Sequence, residues 1–170
     1  MDVLQVPFTS AALLLAIAGM QKLRDPHSLS RALRLANLPN GAGTVRALAA
    51  IEIVAAVGAI VIHHRLAPLA VAVLYLSFAV FVTWALARGL PIESCGCFGR
   101  ADARPSAAHV ALDAFAATVA ALVALDDVEP VRALIADRPA AGIAVLALSA
   151  LLAAVATAWL RGTRASALVR

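Results

Sequence analysis

Charge is what this chain has least of. Of its 170 residues, 14% are Asp, Glu, Lys or Arg and 63% are apolar, whereas soluble domains carry about 25% charged and roughly 45–50% apolar residues. With a mean hydropathy of +0.92, too little polar surface is left to clothe a water-soluble globule. Cysteine is also scarce. There are two, so a metal held by them would need further donors from elsewhere. Aromatic residues make up 5%, and the basic residues stand at the ends of apolar runs rather than in patches interleaved with aromatics. The net charge of +4 and pI near 10.0 therefore read as membrane-orienting charge and not as a nucleic-acid surface. No repeat or low-complexity linker divides the chain. A cleavable leader is not expected, because Lys22 and Arg24 follow the first apolar run where small residues would mark a cleavage site.

What the sequence does have is long apolar runs. A spanning helix needs about 20 predominantly apolar residues, and five stretches qualify: 3–20, 43–62, 66–87, 106–125 and 139–160. The second qualifies if Arg46 snorkels to its interface and Glu52 finds a partner inside. The third carries no charge, and the fifth ends near Trp159. An all-α, polytopic membrane protein is the expected fold, built as a four-helix transmembrane bundle with a fifth C-terminal transmembrane helix.

The connections have their own pattern. Asp25-Pro26 opens a segment in which Leu29, Leu33 and Ala36 recur at near-helical spacing around Arg31 and Arg34, predicting a short interfacial helix ended by Pro39 and Gly41. Val128, Val131, Leu134 and Ile135 repeat the pattern before the fifth span. His63 and His64 fall in a tight turn and are expected to be interfacial.

Basic residues set the orientation. Lys22, Arg24, Arg31, Arg34, Arg46, Arg88, Arg100, Arg104, Arg161, Arg164 and Arg170, eleven in all, fall on one side. Arg65, Arg132 and Arg138, three in all, fall on the other, with Asp126, Asp127 and Glu129. The expectation is a bacterial inner-membrane protein with its N-terminus outside and the 88–104 connection in the cytoplasm.

That connection holds both cysteines. Cys95 and Cys97 flank Gly96, in a run ending Phe98-Gly99. A disulfide between residues i and i+2 closes a small, distorted ring, and strain makes such a bond more reducible and a better oxidant. Arg88, Arg100, Arg104 or a protonated His109 would favour a thiolate. The pair suits thiol–disulfide exchange. Soft-metal ligation with outside donors, or a reduced structural loop, remain the alternatives.

Glu52 falls near the middle of the second span, where an ionised acid costs about 2.5–3.5 kcal/mol on insertion scales. It must face the bundle interior, be paired or be protonated. It reads either as a proton acceptor or polar contact to a ligand such as a quinone, or as a helix-packing partner, with Lys22 and Arg24 in range if their side chains reach inward. His109 and Asp113, four residues apart, share one helix face a turn beyond the cysteine loop. A proton shuttle oriented by the aspartate, or a hydrogen-bonded pair at the helix entry, would both use that placement.

Three stretches together resemble the methylamine-utilisation MauE family of DoxX-like membrane proteins. They are Gly19-Met20-Gln21-Lys22-Leu23-Arg24-Asp25-Pro26, then Ala49-Ala50-Ile51-Glu52 with Gly58, then Arg88-Gly89 with Cys95-Gly96-Cys97-Phe98-Gly99. The resemblance covers about residues 1–125. It implies a four-helix membrane bundle over 1–126, with its cysteine loop at 89–105, and leaves 127–170 as an amphipathic connection, a fifth transmembrane helix and a basic tail. It also implies disulfide formation or maturation of a partner, commonly beside a thioredoxin-like protein, with Cys95 and Cys97 as the reactive pair. Extracytoplasmic disulfide work would want those cysteines outside; the charge count puts them inside, and the count is followed here.

Two functions are therefore expected to compete. One is a membrane thiol–disulfide oxidoreductase or redox-maturation factor using Cys95 and Cys97, with His109 and Asp113 handling the proton and a quinone near Glu52 as acceptor. The other is a non-catalytic membrane subunit that anchors or stabilises a partner complex, its cysteines structural or metal-binding. Few intramembrane polar residues and no sign of discontinuous helices weigh against a transporter.

Overall fold

Backbone crossing lipid must satisfy its hydrogen bonds internally, and here the apolar runs do so as helices. The computed structural model describes residues 3–91, 106–126 and 128–167. Among them are seven helices and no strand: α1 (Gln5–Arg24), α2 (His27–Leu35), α3 (Ala42–Val61), α4 (Leu66–Ala87), α5 (Ala107–Asp126), α6 (Val131–Asp137) and α7 (Pro139–Ala167). Five of them, α1, α3, α4, α5 and α7, are long and apolar enough to cross a membrane. The chain is a multi-pass membrane protein.

The spanning helices alternate in direction, and four of them close a ring in the order α1, α3, α4, α5 and back to α1. Phe8, Leu15, Ala56, Val71, Tyr75, Ala116, Val119 and Ala120 meet along its axis. Tyr75 of α4 crosses that axis and donates a hydrogen bond of 2.7 Å to the Ala11 carbonyl of α1. α7 stands outside the ring against α1. The share of each span buried follows from this placement: 56% for α1, held between the other ring helices and α7, against 22% for α7.

The two short helices match the expected amphipathic segments. α2 buries Leu29 and Ala32 and leaves Arg31 and Arg34 exposed. Its C-terminal turn closes at Asn37, φ 55°, with Leu38 N–H bonded to the Leu33 carbonyl at 2.9 Å, a Schellman ending. α6 tucks into the α7 corner, where a Cβ on Gly142 would stand 2.7 Å from the Ile135 Cα. That small residue is used for a contact within the chain.

α4 also ends in a Schellman turn. Gly89 takes φ 58°, its N–H bonds the Leu86 carbonyl, and Leu90 N–H reaches back to the Ala85 carbonyl, both at 3.1 Å. Leu90 then packs against the buried cluster of Leu29, Ala32, Val45 and Ala85. The left-handed φ is the reason for the glycine in Arg88-Gly89. It stops α4 and launches the connection that carries the cysteines.

Candidate functional site

Lys22 is the only lysine in the chain, and it does not lie at the interface. Its Nζ donates to Glu52 Oε2 at 2.7 Å, with the two side chains 2% and 0% exposed. Helix direction explains the meeting. Cα–Cβ bonds tilt toward a helix N-terminus, and α1 and α3 run oppositely, so Lys22 leans into the bilayer while Glu52 leans back toward it. Gly19 makes room. A Cβ there would stand 2.8 Å from Ile53 Cγ1, 2.9 Å from the Ala49 carbonyl and 3.3 Å from Glu52 Cβ. The Gly19-to-Lys22 spacing of one turn therefore brings α1 against α3 at the level where the amine is delivered.

The pair is only partly satisfied. The Lys22 ammonium also sits 5.1 Å from the Phe78 ring centroid on α4, within cation–π range. Glu52 Oε1 is buried without a hydrogen-bond partner, and an ammonium has three donors to offer. A carboxylate acceptor and unspent ammonium donors thus stand together at the bundle centre. Glu52 lies about 15 Å along α3 from its first residue, close to mid-membrane.

On α5, His109 and Asp113 are 1% and 0% exposed and share the inward face. His109 Nδ1 lies 2.9 Å from Ser106 Oγ, just ahead of the helix, so that hydroxyl helps set the imidazole orientation. Ser106 is a partner the sequence reading missed; its place three residues ahead of His109 was the available signal.

The buried polar residues are sorted by type. Gln5, Thr9, Ser10 and Ser149 are neutral and bond backbone carbonyls of Glu129, Gln5, Val6 and Val6 respectively. They belong to the half of the bundle where α1 begins. The buried lysine, glutamate, histidine and aspartate are Lys22, Glu52, His109 and Asp113. They lie between the midplane and the opposite end, where α1 stops and α5 starts. The 88–106 connection leaves from that same end.

Glu52 was expected to need an interior partner, and Lys22 supplies it; Arg24 is exposed. Lys22 therefore ceases to act as one of the eleven interfacial charges, leaving ten against three. Cys95 and Cys97 lie outside the described residues. His63 and His64 are exposed at the α3–α4 turn, as expected for interfacial residues. Among the described residues no cluster of three or more His, Cys, Asp or Glu is placed to hold a metal. Phe78 carried no sequence signal, since one more aromatic in an apolar run is unremarked until the bundle closes.

A four-helix membrane bundle with an ion pair at its centre and a cysteine connection at one end defines the class. The family model for "Methylamine utilisation protein MauE" matches residues 3–126, from α1 to the end of α5, and the chain belongs to this family. No curated protein and no solved structure matches the chain. α6 and α7 lie beyond the matched region.

Proposed function

We propose that this MauE-family membrane protein performs thiol–disulfide exchange through Cys95 and Cys97 on a thioredoxin-like or other partner protein. The observation that carries the reading is the gathering of Lys22, Glu52, His109 and Asp113 in the half of the bundle from which the cysteine connection leaves. Thiol exchange needs a thiolate and a place for protons, and among the described residues this is where the buried acids and bases lie.

The exchange is a pair of displacements. A partner thiolate attacks the Cys95–Cys97 disulfide, forming a mixed disulfide and releasing the other cysteine as a thiolate, which takes up a proton. The partner's second thiolate displaces the attached cysteine. The partner gains a disulfide, and Cys95 and Cys97 become a dithiol that has accepted two electrons. His109, held at Nδ1 by Ser106, is the proton carrier in this reading, and Asp113, one turn on, orients it. Reoxidation of the dithiol passes two electrons to an acceptor of the quinone or protein-disulfide class.

A quinone fits the donor set at the bundle centre. Lys22 has N–H groups to offer a carbonyl oxygen, and Glu52 Oε1 can accept from a hydroxyl. Such a group would supply a two-electron sink soluble in the bilayer.

The charge count, still ten to three once Lys22 is set aside, supports an inner-membrane placement with the cysteines toward the cytoplasm. A membrane-impermeant maleimide should then label them in opened but not intact cells, and only after reduction if the pair rests as a disulfide. Labelling of intact cells would reverse the orientation.

The decisive test replaces each cysteine by serine. Each single variant should accumulate normally, lose activity and leave one cysteine able to trap the partner in a reducible, higher-mass adduct. Function that survives either change, with no adduct, would leave a non-catalytic subunit that anchors or stabilises a partner complex.

A further inference from the structure

A groove of about 540 Å³ runs along the outer face of α4, lined by Val73, Leu76, Val80, Phe81 and Trp84, with Ala36 and Leu38 walling one end. The lining residues of α4 recur at three- and four-residue steps, one continuous helix face. Ser77 Oγ, a polar group among the lining side chains, bonds its own helix at the Val73 carbonyl, 2.8 Å away, and the groove is predominantly apolar. From Val73 to Trp84 it is about 16 Å long, close to half the roughly 30 Å hydrocarbon thickness. That is the depth of one leaflet.

Its two ends differ. Val73 lies toward the membrane centre. At the other end Trp84 is partly exposed at interface level, and the Arg88 guanidinium stacks 5.8 Å from its ring centroid. Arg34, also exposed, stands two residues before Ala36 on the helix whose C-terminus walls the groove. The acid nearest in sequence to that helix, Asp25, already accepts a bond from His27 N–H at 3.2 Å. A largely apolar slot one leaflet deep thus opens beneath the Arg88 guanidinium, whose planar, multi-donor geometry suits a phosphate.

The geometry points to a binding site for one anionic phospholipid, an acyl chain along α4 from Trp84 to Val73 and the phosphate at Arg88 and Arg34. The site stands whether or not the thiol-exchange reading holds.

Native mass spectrometry of the full-length protein, released from micelles with equal amounts of phosphatidylglycerol and phosphatidylcholine of identical chains, tests this. One phosphatidylglycerol should be retained with about tenfold preference. Arg88→Gln should abolish the preference, and Val80→Trp, which fills the slot on an exposed face, should lower retention of both lipids about tenfold. Leu76→Phe repeats the blocking test should Val80→Trp fail to accumulate. Equal retention of the two lipids by the unaltered protein would overturn the proposal. So would unchanged phosphatidylglycerol retention in the blocked variants, or a protein dimer, in place of bound lipid, that the blocking substitutions dissociate.

Discussion

Gly19 of α1 and Ala49 of α3 approach so closely that a single added methyl on the glycine would stand 2.9 Å from the alanine carbonyl oxygen. This contact sets the distance at which Lys22 and Glu52 meet, one helical turn away on each side. Much of the centre of the bundle depends on it.

Gly19→Ala should therefore push α1 off α3 and lower stability by about 2 kcal/mol, the usual scale for overpacking. Gly58, where a Cβ would meet nothing nearer than 3.9 Å, is the control: Gly58→Ala should be neutral or mildly stabilising. Thermal unfolding in detergent, followed by circular dichroism, compares them. Equal midpoints would mean that the α1–α3 crossing relaxes freely.

Breaking the buried pair from one side should cost more than removing it. Lys22→Met leaves the Glu52 carboxylate buried without its cation, at about 3–5 kcal/mol, whereas an apolar replacement of both partners is often neutral. Lys22→Met with Glu52→Leu should thus recover most of the stability. If that double variant is stable yet inactive, the pair serves the chemistry; full activity would make it a packing device.

Tyr75→Phe removes the cross-bundle hydrogen bond to Ala11 and keeps the ring. Interhelical hydrogen bonds in membranes average about 0.6 kcal/mol, so the effect should be small. Tyr75→Ala also removes a side chain that is 2% exposed and should cost about 3–5 kcal/mol. A loss in Tyr75→Phe as large as in Tyr75→Ala would show that the hydroxyl, not the ring, ties α1 to α4.

Gly89→Val forces a β-branched residue into φ 58°, at about 1–2 kcal/mol, while Gly89→Asn should be milder. Because this turn launches the cysteine connection, the valine variant should alter the maleimide reaction rate of Cys95 and Cys97 while global unfolding shifts little. Unchanged thiol rates would uncouple the end of α4 from the loop.

The spans could be read in advance because hydropathy is a one-dimensional property. The stretch 66–87 coincides with α4 (Leu66–Ala87), and the other spans agree to within a few residues at the ends abutting the short connections. α7 runs on furthest, to Ala167, and α1 runs four residues past its apolar run, to Arg24, with Lys22 sheltered inside the bundle and not exposed to lipid. Of the candidate site, the inward position of Glu52 followed from the cost of an acid in lipid, and the shared face of His109 and Asp113 from their i, i+4 spacing; that this face turns inward is seen only in the bundle. Lys22 was counted among orientation charges because a lysine near a helix end ordinarily snorkels out.

By itself the sequence determined that this is a helical membrane protein, where its five helices long and apolar enough to cross a membrane lie, and that Glu52 must turn inward or be paired. Each follows from local composition against the lipid solvent. Only the tertiary structure decided that Lys22 pairs with Glu52 over Phe78, that Tyr75 reaches Ala11, and that α7 stands outside the ring of α1, α3, α4 and α5. Lipid is as apolar as the helix faces, so hydropathy says which residues are within the membrane and not which helices touch. Close approach at small residues such as Gly19, and the direction of each Cα–Cβ bond, choose the partners.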